Sequence, residues 1–228
     1  MRLLTCNPLG VDSAMMQWVW IREDRAMKVT RGFSGRPRDP DAERVPPGQY
    51  VTQDFPVLSA GPTPRTPLES WSLVLQNGGQ MLARWSWTDF ETLPQTERTT
   101  DIHCVTRWSK LGTRWRGVTF DDLLAGAGLS SPPSGFVMAH CDGGYTTNVP
   151  VADLLDGKGM VATQFDGLPL PAVHGGPARL LVPHLYFWKC AKWVRRLQFT
   201  EKNMPGFWES NGYHIYGDPW REQRYSGD

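Results

Sequence analysis

A cysteine, Cys104, lies in the segment whose residue types are best suited to chemistry, Asp101-Ile-His-Cys-Val-Thr-Arg-Trp-Ser-Lys110. It follows a short strand-like stretch and precedes cationic and indole side chains. Positive charge nearby lowers the pKa of a thiol, and the thiolate is both a nucleophile and a metal ligand. On these residues alone three roles stay open: a buried structural cysteine, a nucleophile, or a soft ligand for a transition metal.

A nucleophilic Cys104 needs a general base within hydrogen-bonding reach. His103 is a poor base for it, because adjacent residues of a strand point to opposite faces. Four further histidines are free to serve instead: His140, His174, His184 and His214. A serine hydrolase has little support, since the sequence has no Gly-x-Ser-x-Gly elbow, and the P-loop and Rossmann glycine patterns are also absent.

A second candidate site is the loop Pro171-Ala-Val-His-Gly-Gly-Pro-Ala-Arg179. A Gly-Gly-Pro turn allows the backbone to approach a ligand closely, and His174 and Arg179 flank the turn. The alternative is a tight loop whose histidine is hydrogen-bonded within the protein.

Two lysines form a third candidate, within Val182-Pro-His-Leu-Tyr-Phe-Trp-Lys-Cys-Ala-Lys-Trp-Val194. Lys189 and Lys192 stand among apolar neighbours, where an unpaired ammonium group is costly. An anionic partner such as a phosphate would suit both side chains. The alternative is a pair of lysines that extend their charged ends from the end of a strand into water.

The composition is that of a globular protein. Of 228 residues, 40% are hydrophobic and 21% charged, which suits one large domain or two small ones with a substantial core. A net charge of +1 gives no broad basic surface for nucleic acid, and no apolar stretch approaches the ~20 residues of a membrane span. We therefore expect neither a nucleic-acid nor a membrane partner. The four cysteines form no CxxC pair, which argues against a zinc ribbon or a c-type haem.

Short strands and turns must position these residues, because 19 Pro and 23 Gly disfavour a helical bundle. Strands are predicted over Trp71–Leu75, Met81–Trp85, Thr99–Ile102, Phe136–His140, Met160–Phe165, Ala178–Val182 and Trp193–Phe199. Two short helices are predicted over 86–93 and 119–125. Each opens with a capping box, Ser86 with Asp89 and Thr119 with Asp122. The predicted fold class is mixed α+β, rich in strands, with short helices.

The first 48 residues differ from the rest of the chain. The run Arg31-Gly-Phe-Ser-Gly-Arg-Pro-Arg-Asp-Pro-Asp41 is polar and rich in Pro and Gly, which predicts an extended or poorly ordered arm over residues 1–48. A single domain is expected over residues 49–228, and Met27 is a candidate for the native start. No export signal is recognisable, so a cytoplasmic location is expected.

From about Pro47 onward the chain resembles the molybdopterin-binding domain of the sulfite oxidase family. The segment 103–109 (HCVTRWS) is similar to the one that carries the family's molybdenum-ligating cysteine. The segment 174–179 (HGGPAR) is similar to its cofactor loop, and 188–193 (WKCAKW) to the stretch that holds the pterin phosphate. The tail 205–214 (PGFWESNGYH) resembles that of the short bacterial sulfite oxidase-like oxidoreductases. The order of these motifs along the chain makes the resemblance specific.

The resemblance implies a mononuclear molybdenum held by one dithiolene of molybdopterin and by Cys104. It implies cofactor contacts from Phe55, Val57, Cys104, Cys141, Asp142, His174, Arg179, Trp188, Lys189 and Lys192. Tyr213 corresponds to a substrate-facing tyrosine of the family. Near the metal, Arg107 could frame an anionic or polar substrate as a catalytic residue, the alternative being that it pairs with an acid.

The activity implied is two-electron oxygen-atom transfer on a small oxyanion, sulfoxide or N-oxide. The sequence has no haem, flavin or iron–sulfur motif, so a separate electron-transfer partner is expected. The tail after Phe199 is too short for the haem or immunoglobulin-like domain of sulfite oxidases, and their substrate-pocket arginines have no clear counterparts here. Sulfite is therefore not singled out as substrate. Two alternatives remain: a metal-free cysteine enzyme, or a molybdopterin-binding module without turnover.

Overall fold

The computed structural model of the protein describes residues 41–228, which form eleven strands and three short α-helices. The strands are β1 (Tyr50–Val51), β2 (Ser72–Asn77), β3 (Gln80–Ser86), β4 (Thr96–His103), β5 (Trp108–Thr119), β6 (Phe136–Cys141), β7 (Thr146–Pro150), β8 (Met160–Phe165), β9 (Leu168–Pro169), β10 (Arg179–Leu181) and β11 (Val194–Thr200). The helices are α1 (Trp87–Thr92), α2 (Phe120–Gly126) and α3 (Phe207–Ser210). This is the strand-rich α+β architecture that the sequence predicts.

The strands form two sheets. In the first, the main order is β1-β5-β8-β10, with β4 paired to β5 and β9 paired to β8. The strand β1 is parallel to β5, and the other pairs are antiparallel. The second sheet has the order β3-β2-β11-β6-β7, in which only the β2–β11 pair is parallel among the described strands.

One hydrophobic core joins the two sheets. It includes Leu73 of β2 and Leu197 of β11 from the second sheet, with Val118 of β5 and Val161 of β8 from the first. All four side chains are inaccessible to solvent. Because the sheets share this core, loops from both can meet at one edge of the domain.

The short helices begin where the capping boxes predict. At α1, Ser86 Oγ accepts from Asp89 N–H (3.2 Å) and Asp89 Oδ2 accepts from Ser86 N–H (3.0 Å). At α2, Thr119 Oγ1 accepts from Asp122 N–H (3.1 Å). The longest helix of residues 41–228 has seven residues, and none of the described helices has the length and apolar character to cross a bilayer.

The structure adds β1, β5, β7 and β9 to the seven predicted strands. The charged residues of β5 interrupt its apolar pattern, so the pattern does not predict this strand. In the sheet, the exposed Arg114 alternates with the buried Thr113 and Trp115, as expected for a strand with one solvated face.

Residues 41–48 of the predicted N-terminal arm contact the domain. The 3-10 turn Ala42–Arg44 binds Asp101 through Arg44, with Nε–Oδ2 at 2.9 Å, and Pro47 O accepts from Arg224 Nη2 (3.5 Å). The remaining part of the predicted arm, including Met27, lies outside the described residues.

Candidate functional site

Cys104 lies at the tip of the β4–β5 hairpin. Its N–H donates to Trp108 O (2.8 Å), and its carbonyl accepts from Arg107 N–H (3.0 Å) and from Gln49 Nε2 (3.1 Å). Arg107 has a φ of 76°, the left-handed conformation that closes three-residue hairpin loops. The backbone thus fixes the direction in which the thiol points.

A cavity of about 710 Å³ lies beside this thiol. Residues of the irregular segment from Phe55 to Pro64 form part of its lining. Nine of its 27 lining residues are aromatic: Phe55, Trp108, Tyr145, Phe187, Trp188, Trp193, Phe207, Trp208 and Tyr213. The charged residues of the lining are Arg179, Lys192 and Asp142.

The Cys104 thiol is 7% exposed and accepts a hydrogen bond from Thr106 Oγ1 (3.1 Å). Burial raises its pKa, although Thr106 and the nearby Arg224 oppose this effect. No histidine of the described residues donates to or accepts from the sulfur. His103 instead pairs through Nδ1 with Ser109 Oγ (2.8 Å), and burial lowers its pKa to about 4. Cys104 therefore lacks a base that would make it a nucleophile by itself.

Arg179, the first residue of β10, is 1% exposed and lines the cavity. Its guanidinium donates to His174 O and Cys190 O, both at 2.6 Å, and lies 4.1 Å from the Phe187 ring centroid. Its buried Nε has no hydrogen-bond partner, and no carboxylate of residues 41–228 forms an ion pair with it. Burial lowers its pKa to about 10, so the group stays charged at neutral pH. A buried charge without a counter-ion is costly unless a ligand neutralises it.

The Gly-Gly turn packs against the protein itself, which differs from its predicted role of approaching a ligand. Gly175 has a φ of 111°, and a Cβ there would lie 3.0 Å from Arg179 Cβ and 3.1 Å from Lys192 Cα. Glycine therefore brings these two residues together. The ring of His174 stacks on the ring of Phe55, with their centroids 3.8 Å apart. Burial and Arg179 lower the pKa of His174 to about 4, and its Nδ1 is buried without a partner.

Lys192 reaches over the rim of the cavity. Its ammonium donates to Leu58 O and Val173 O, both at 2.7 Å, and both acceptors are neutral carbonyls. Burial lowers its pKa to about 8, and repulsion from Arg179 adds to this effect. Lys192 and Arg179 thus form a pair of neighbouring cations, and no acid within residues 41–228 bonds to either.

Lys189 has a different partner from the phosphate that the sequence suggested. It is 0% exposed, lies outside the cavity lining, and donates to Glu209 Oε1 at 2.6 Å. Asn148 O, Asn148 Oδ1 and Ile215 O accept from it at 3.0, 2.9 and 2.8 Å. These four acceptors more than fill the three donors of an ammonium group. The counter-ion of Lys189 in this structure is therefore a carboxylate of the protein.

Of the remaining residues that the resemblance assigns to the cofactor, some line the cavity and others do not. Asp142 lines the cavity, accepts from Thr66 Oγ1 (2.8 Å) and pairs with Arg195 (3.2 Å). Cys141 and Val57 lie outside the lining, and Val57 is 51% exposed. Burial raises the pKa of the Cys141 thiol.

Of the two other residues predicted to be catalytic, Tyr213 lines the cavity and Arg107 does not. Arg107 is exposed and outside the residues that line the cavity. Tyr213 lines the cavity, and burial, together with the nearby Tyr225 and Cys104, raises its pKa.

Four side chains, Trp188, Phe207, Trp208 and Tyr213, form what we name the aromatic wall of the cavity. Ring centroids lie 5.2 Å apart for Trp188–Tyr213, 4.9 Å for Trp208–Tyr213 and 5.0 Å for Phe207–Trp208. Sequence analysis did not assign Phe207 and Trp208 to the site. The available signal was their adjacency in the tail, since a Phe-Trp pair in a turn-rich segment needs an apolar surface to cover.

A model of the family described as the oxidoreductase molybdopterin binding domain matches residues 60–208. The chain is 43% identical over 198 residues to the uncharacterized oxidoreductase YuiH of Bacillus subtilis (strain 168), covering 86% of this chain and 100% of that protein. It is 30% identical over 176 residues to YedZ1 of Azospira oryzae, a proposed protein-methionine-sulfoxide reductase subunit, covering 75% of this chain and 66% of that protein.

A solved structure shares the fold. The sulfane dehydrogenase SoxCD from Paracoccus pantotrophus superposes with a TM-score of 0.53 at 23% identity, covering 61% of this chain and 40% of that one. The superposition confirms the predicted strand-rich molybdopterin-binding fold.

Proposed function

Since this chain belongs to the family of oxidoreductase molybdopterin-binding domains, we propose that it catalyses two-electron oxygen-atom transfer in the cavity beside Cys104. The chain is thus a molybdopterin-dependent oxidoreductase, and its cofactor is molybdenum bound to molybdopterin. The observation that carries the location of the site is the buried Arg179, which faces the cavity without a counter-ion.

The residues of the cavity fit such a cofactor. Among the described residues no three His, Cys, Asp or Glu side chains meet as metal ligands, so the metal would take Cys104 as its protein ligand and its other ligands from the cofactor. Two buried nitrogens of the lining residues have no hydrogen-bond partner among residues 41–228: Trp108 Nε1 and Arg179 Nε. Unsatisfied buried polar groups of this kind call for a polar ligand.

Each residue would have a distinct task. When bound, the cofactor supplies a metal centre that exchanges an oxo group together with two electrons. Cys104 binds the metal as a thiolate, because a coordinating metal deprotonates a thiol whose pKa burial otherwise raises. Arg179 and Lys192 bind the anionic phosphate end through charged donors. The aromatic wall excludes water and orients the substrate.

The aromatic wall favours a neutral substrate. The two cations of the cavity lining are Arg179 and Lys192, and both are engaged if they hold a phosphate. The lining has no third cation among residues 41–228, so a dianion such as sulfite would lose its hydration there without a lining charge to compensate for it. A neutral sulfoxide or N-oxide avoids that cost. The relative from Azospira oryzae, a proposed protein-methionine-sulfoxide reductase subunit, lends this choice further support.

Electrons would come from or pass to a separate partner protein. The chain carries no haem, flavin or iron–sulfur motif, and oxygen-atom transfer at one metal needs two electrons to restore the starting state. A partner would therefore complete each turnover.

The two alternatives make different demands. A metal-free cysteine enzyme would need a base at Cys104, and the sulfur bonds to Thr106 instead. A binding module without turnover would need only the cavity and its cations. Turnover by the loaded protein separates this module from an enzyme.

The test begins with protein purified from a host that makes the cofactor. We expect molybdenum and pterin in equal amounts, bound to the chain, and their absence would contradict the proposal. The loaded protein is then assayed with methyl sulfoxides, N-oxides, sulfite and nitrate, with dye donors and acceptors. Turnover of sulfoxides or N-oxides is expected. Activity confined to sulfite would overturn the substrate preference, and no activity with any of them would favour the binding module.

A further inference from the structure

The aromatic wall is built on a segment with little regular structure. Phe207 and Trp208 belong to the four-residue helix α3, and Tyr213 follows in an irregular stretch. Helices this short have no stability of their own, so the position of these rings depends on what holds the segment to the domain.

One buried carboxylate sits behind the wall. Glu209 follows Trp208 directly, and its side chain is 1% exposed. Its Oε1 accepts from Lys189 Nζ (2.6 Å), Trp188 Nε1 (2.9 Å) and Thr147 Oγ1 (3.0 Å). The same oxygen therefore fixes an indole of the wall, a strand of the second sheet and the buried lysine.

The ammonium of Lys189 extends this attachment. It also binds Ile215 O at 2.8 Å, two residues beyond Tyr213, and Asn148 O and Oδ1 in β7. The lysine and glutamate thus hold the tail segment on both sides of Tyr213, and each bonds to β7, the glutamate at Thr147 and the lysine at Asn148.

We infer that the Lys189–Glu209 pair positions the aromatic wall and thereby determines which substrates the cavity accepts, without contacting the cofactor. This inference rests on the proposed function of the cavity. Desolvation of two ions makes such a pair a weak source of stability compared with an apolar pair of equal volume. The role of the pair is better explained by its directional hydrogen bonds, which fix the positions of the bonded groups in a way that apolar packing would not.

The experiment uses molybdenum-loaded protein with Glu209→Ala, and with Glu209→Gln as the conservative variant. For the best neutral substrate of the screen, we expect E209A to raise KM by about tenfold or more, while kcat and molybdenum content stay near wild type. E209Q keeps an oxygen that can accept the three bonds, so its KM should lie close to that of the wild type. The control is Asp166→Asn, which breaks an exposed pair with Arg114 and should change none of these values.

A second measurement makes the inference independent of turnover. Amide hydrogen exchange in residues 204–216 should accelerate in E209A, with exchange in 174–181 unchanged. If E209A does not fold, the double variant Lys189→Met with Glu209→Leu, which buries no charge, takes its place with the same expectations.

An unchanged KM together with unchanged exchange would overturn the inference. So would a loss of molybdenum in proportion to activity, since the pair would then serve the cofactor. If the wild-type protein turns over nothing in the screen, the proposed function fails, and the exchange measurement still decides whether the pair holds the wall.

Discussion

Arg179 and Lys189 are both fully buried cations, ten residues apart in sequence, and their surroundings differ. Lys189 has a carboxylate at 2.6 Å and three further acceptors. Arg179 has two carbonyls, an Nε without a partner and an open cavity before it. Lys189 thus has its counter-ion within the fold, whereas no acid in the described part of the chain pairs with Arg179.

This difference in charge pairing distinguishes a buried cation that supports the fold from one that is available to bind a ligand. A buried cation that the protein neutralises needs no ligand, and its bonds are available to hold segments together. A buried cation that the protein leaves unneutralised raises the free energy of the folded state until an anion binds. Charge balance, rather than burial or residue type, is therefore the basis on which we propose the anion end of the cofactor site at Arg179 and Lys192.

The largest effect is expected from Lys189→Met. It leaves the carboxylate of Glu209 buried without its cation, which should lower the free energy of unfolding of the cofactor-free protein by about 3–5 kcal/mol. Urea denaturation of wild type and variant measures the difference. A loss below about 1 kcal/mol would show that Lys189 is not the neutralised partner that the geometry describes.

A smaller effect is expected from the titration of Lys192, whose pKa is lowered to about 8. Its ammonium is present below that pH and is lost above it, so anion binding should weaken as the pH rises from 7 to 9. Sulfate keeps its charge over this range, and its affinity for the cofactor-free protein should fall about tenfold. Arg179, with a pKa of about 10, should retain the remaining affinity.

The control for this titration is Lys192→Met. In the variant, sulfate affinity should be low and independent of pH between 7 and 9. The wild type should also gain stability relative to the variant as the pH rises above 8, because the unfolded chain keeps its lysine proton up to about pH 10.5. A wild-type affinity that does not change with pH would contradict the position of the ammonium at the cavity.

The smallest effect is expected from Arg107→Gly. The guanidinium is exposed and outside the cavity lining, and the φ of 76° is one that glycine adopts without strain. The free energy of unfolding should therefore change by no more than about 0.5 kcal/mol, with kcat and KM close to wild type. A large loss of turnover in this variant would restore the catalytic role that the sequence suggested for Arg107.

Features that depend on neighbouring residues, such as helix caps, were predictable from the sequence. Contacts between side chains that are distant in sequence were not. The capping residues Ser86 and Thr119 act on neighbours three positions away, so their signal lies within one short segment. Lys189 and Lys192 look alike in sequence, because both stand among apolar residues. What distinguishes them is Glu209, which a turn-rich segment brings to Lys189 from twenty positions away.

The candidate site shows the same division. The motif around Cys104 was recognisable because the hairpin tip is contiguous in sequence. The aromatic wall was not, since Trp188 and Tyr213 meet only when the tail folds back on the 3-10 turn Phe187–Lys189. Periodicity carries no information on such contacts.

The most direct test of the account is the pterin and molybdenum content of Arg179→Met, compared with wild type after purification from the same cofactor-producing host. Because this change removes an unneutralised buried cation, the variant should fold with at least wild-type stability in its cofactor-free form. It should nevertheless retain little pterin or molybdenum. A stable variant that carries the cofactor at the wild-type level would contradict the assignment of Arg179 to the anion site.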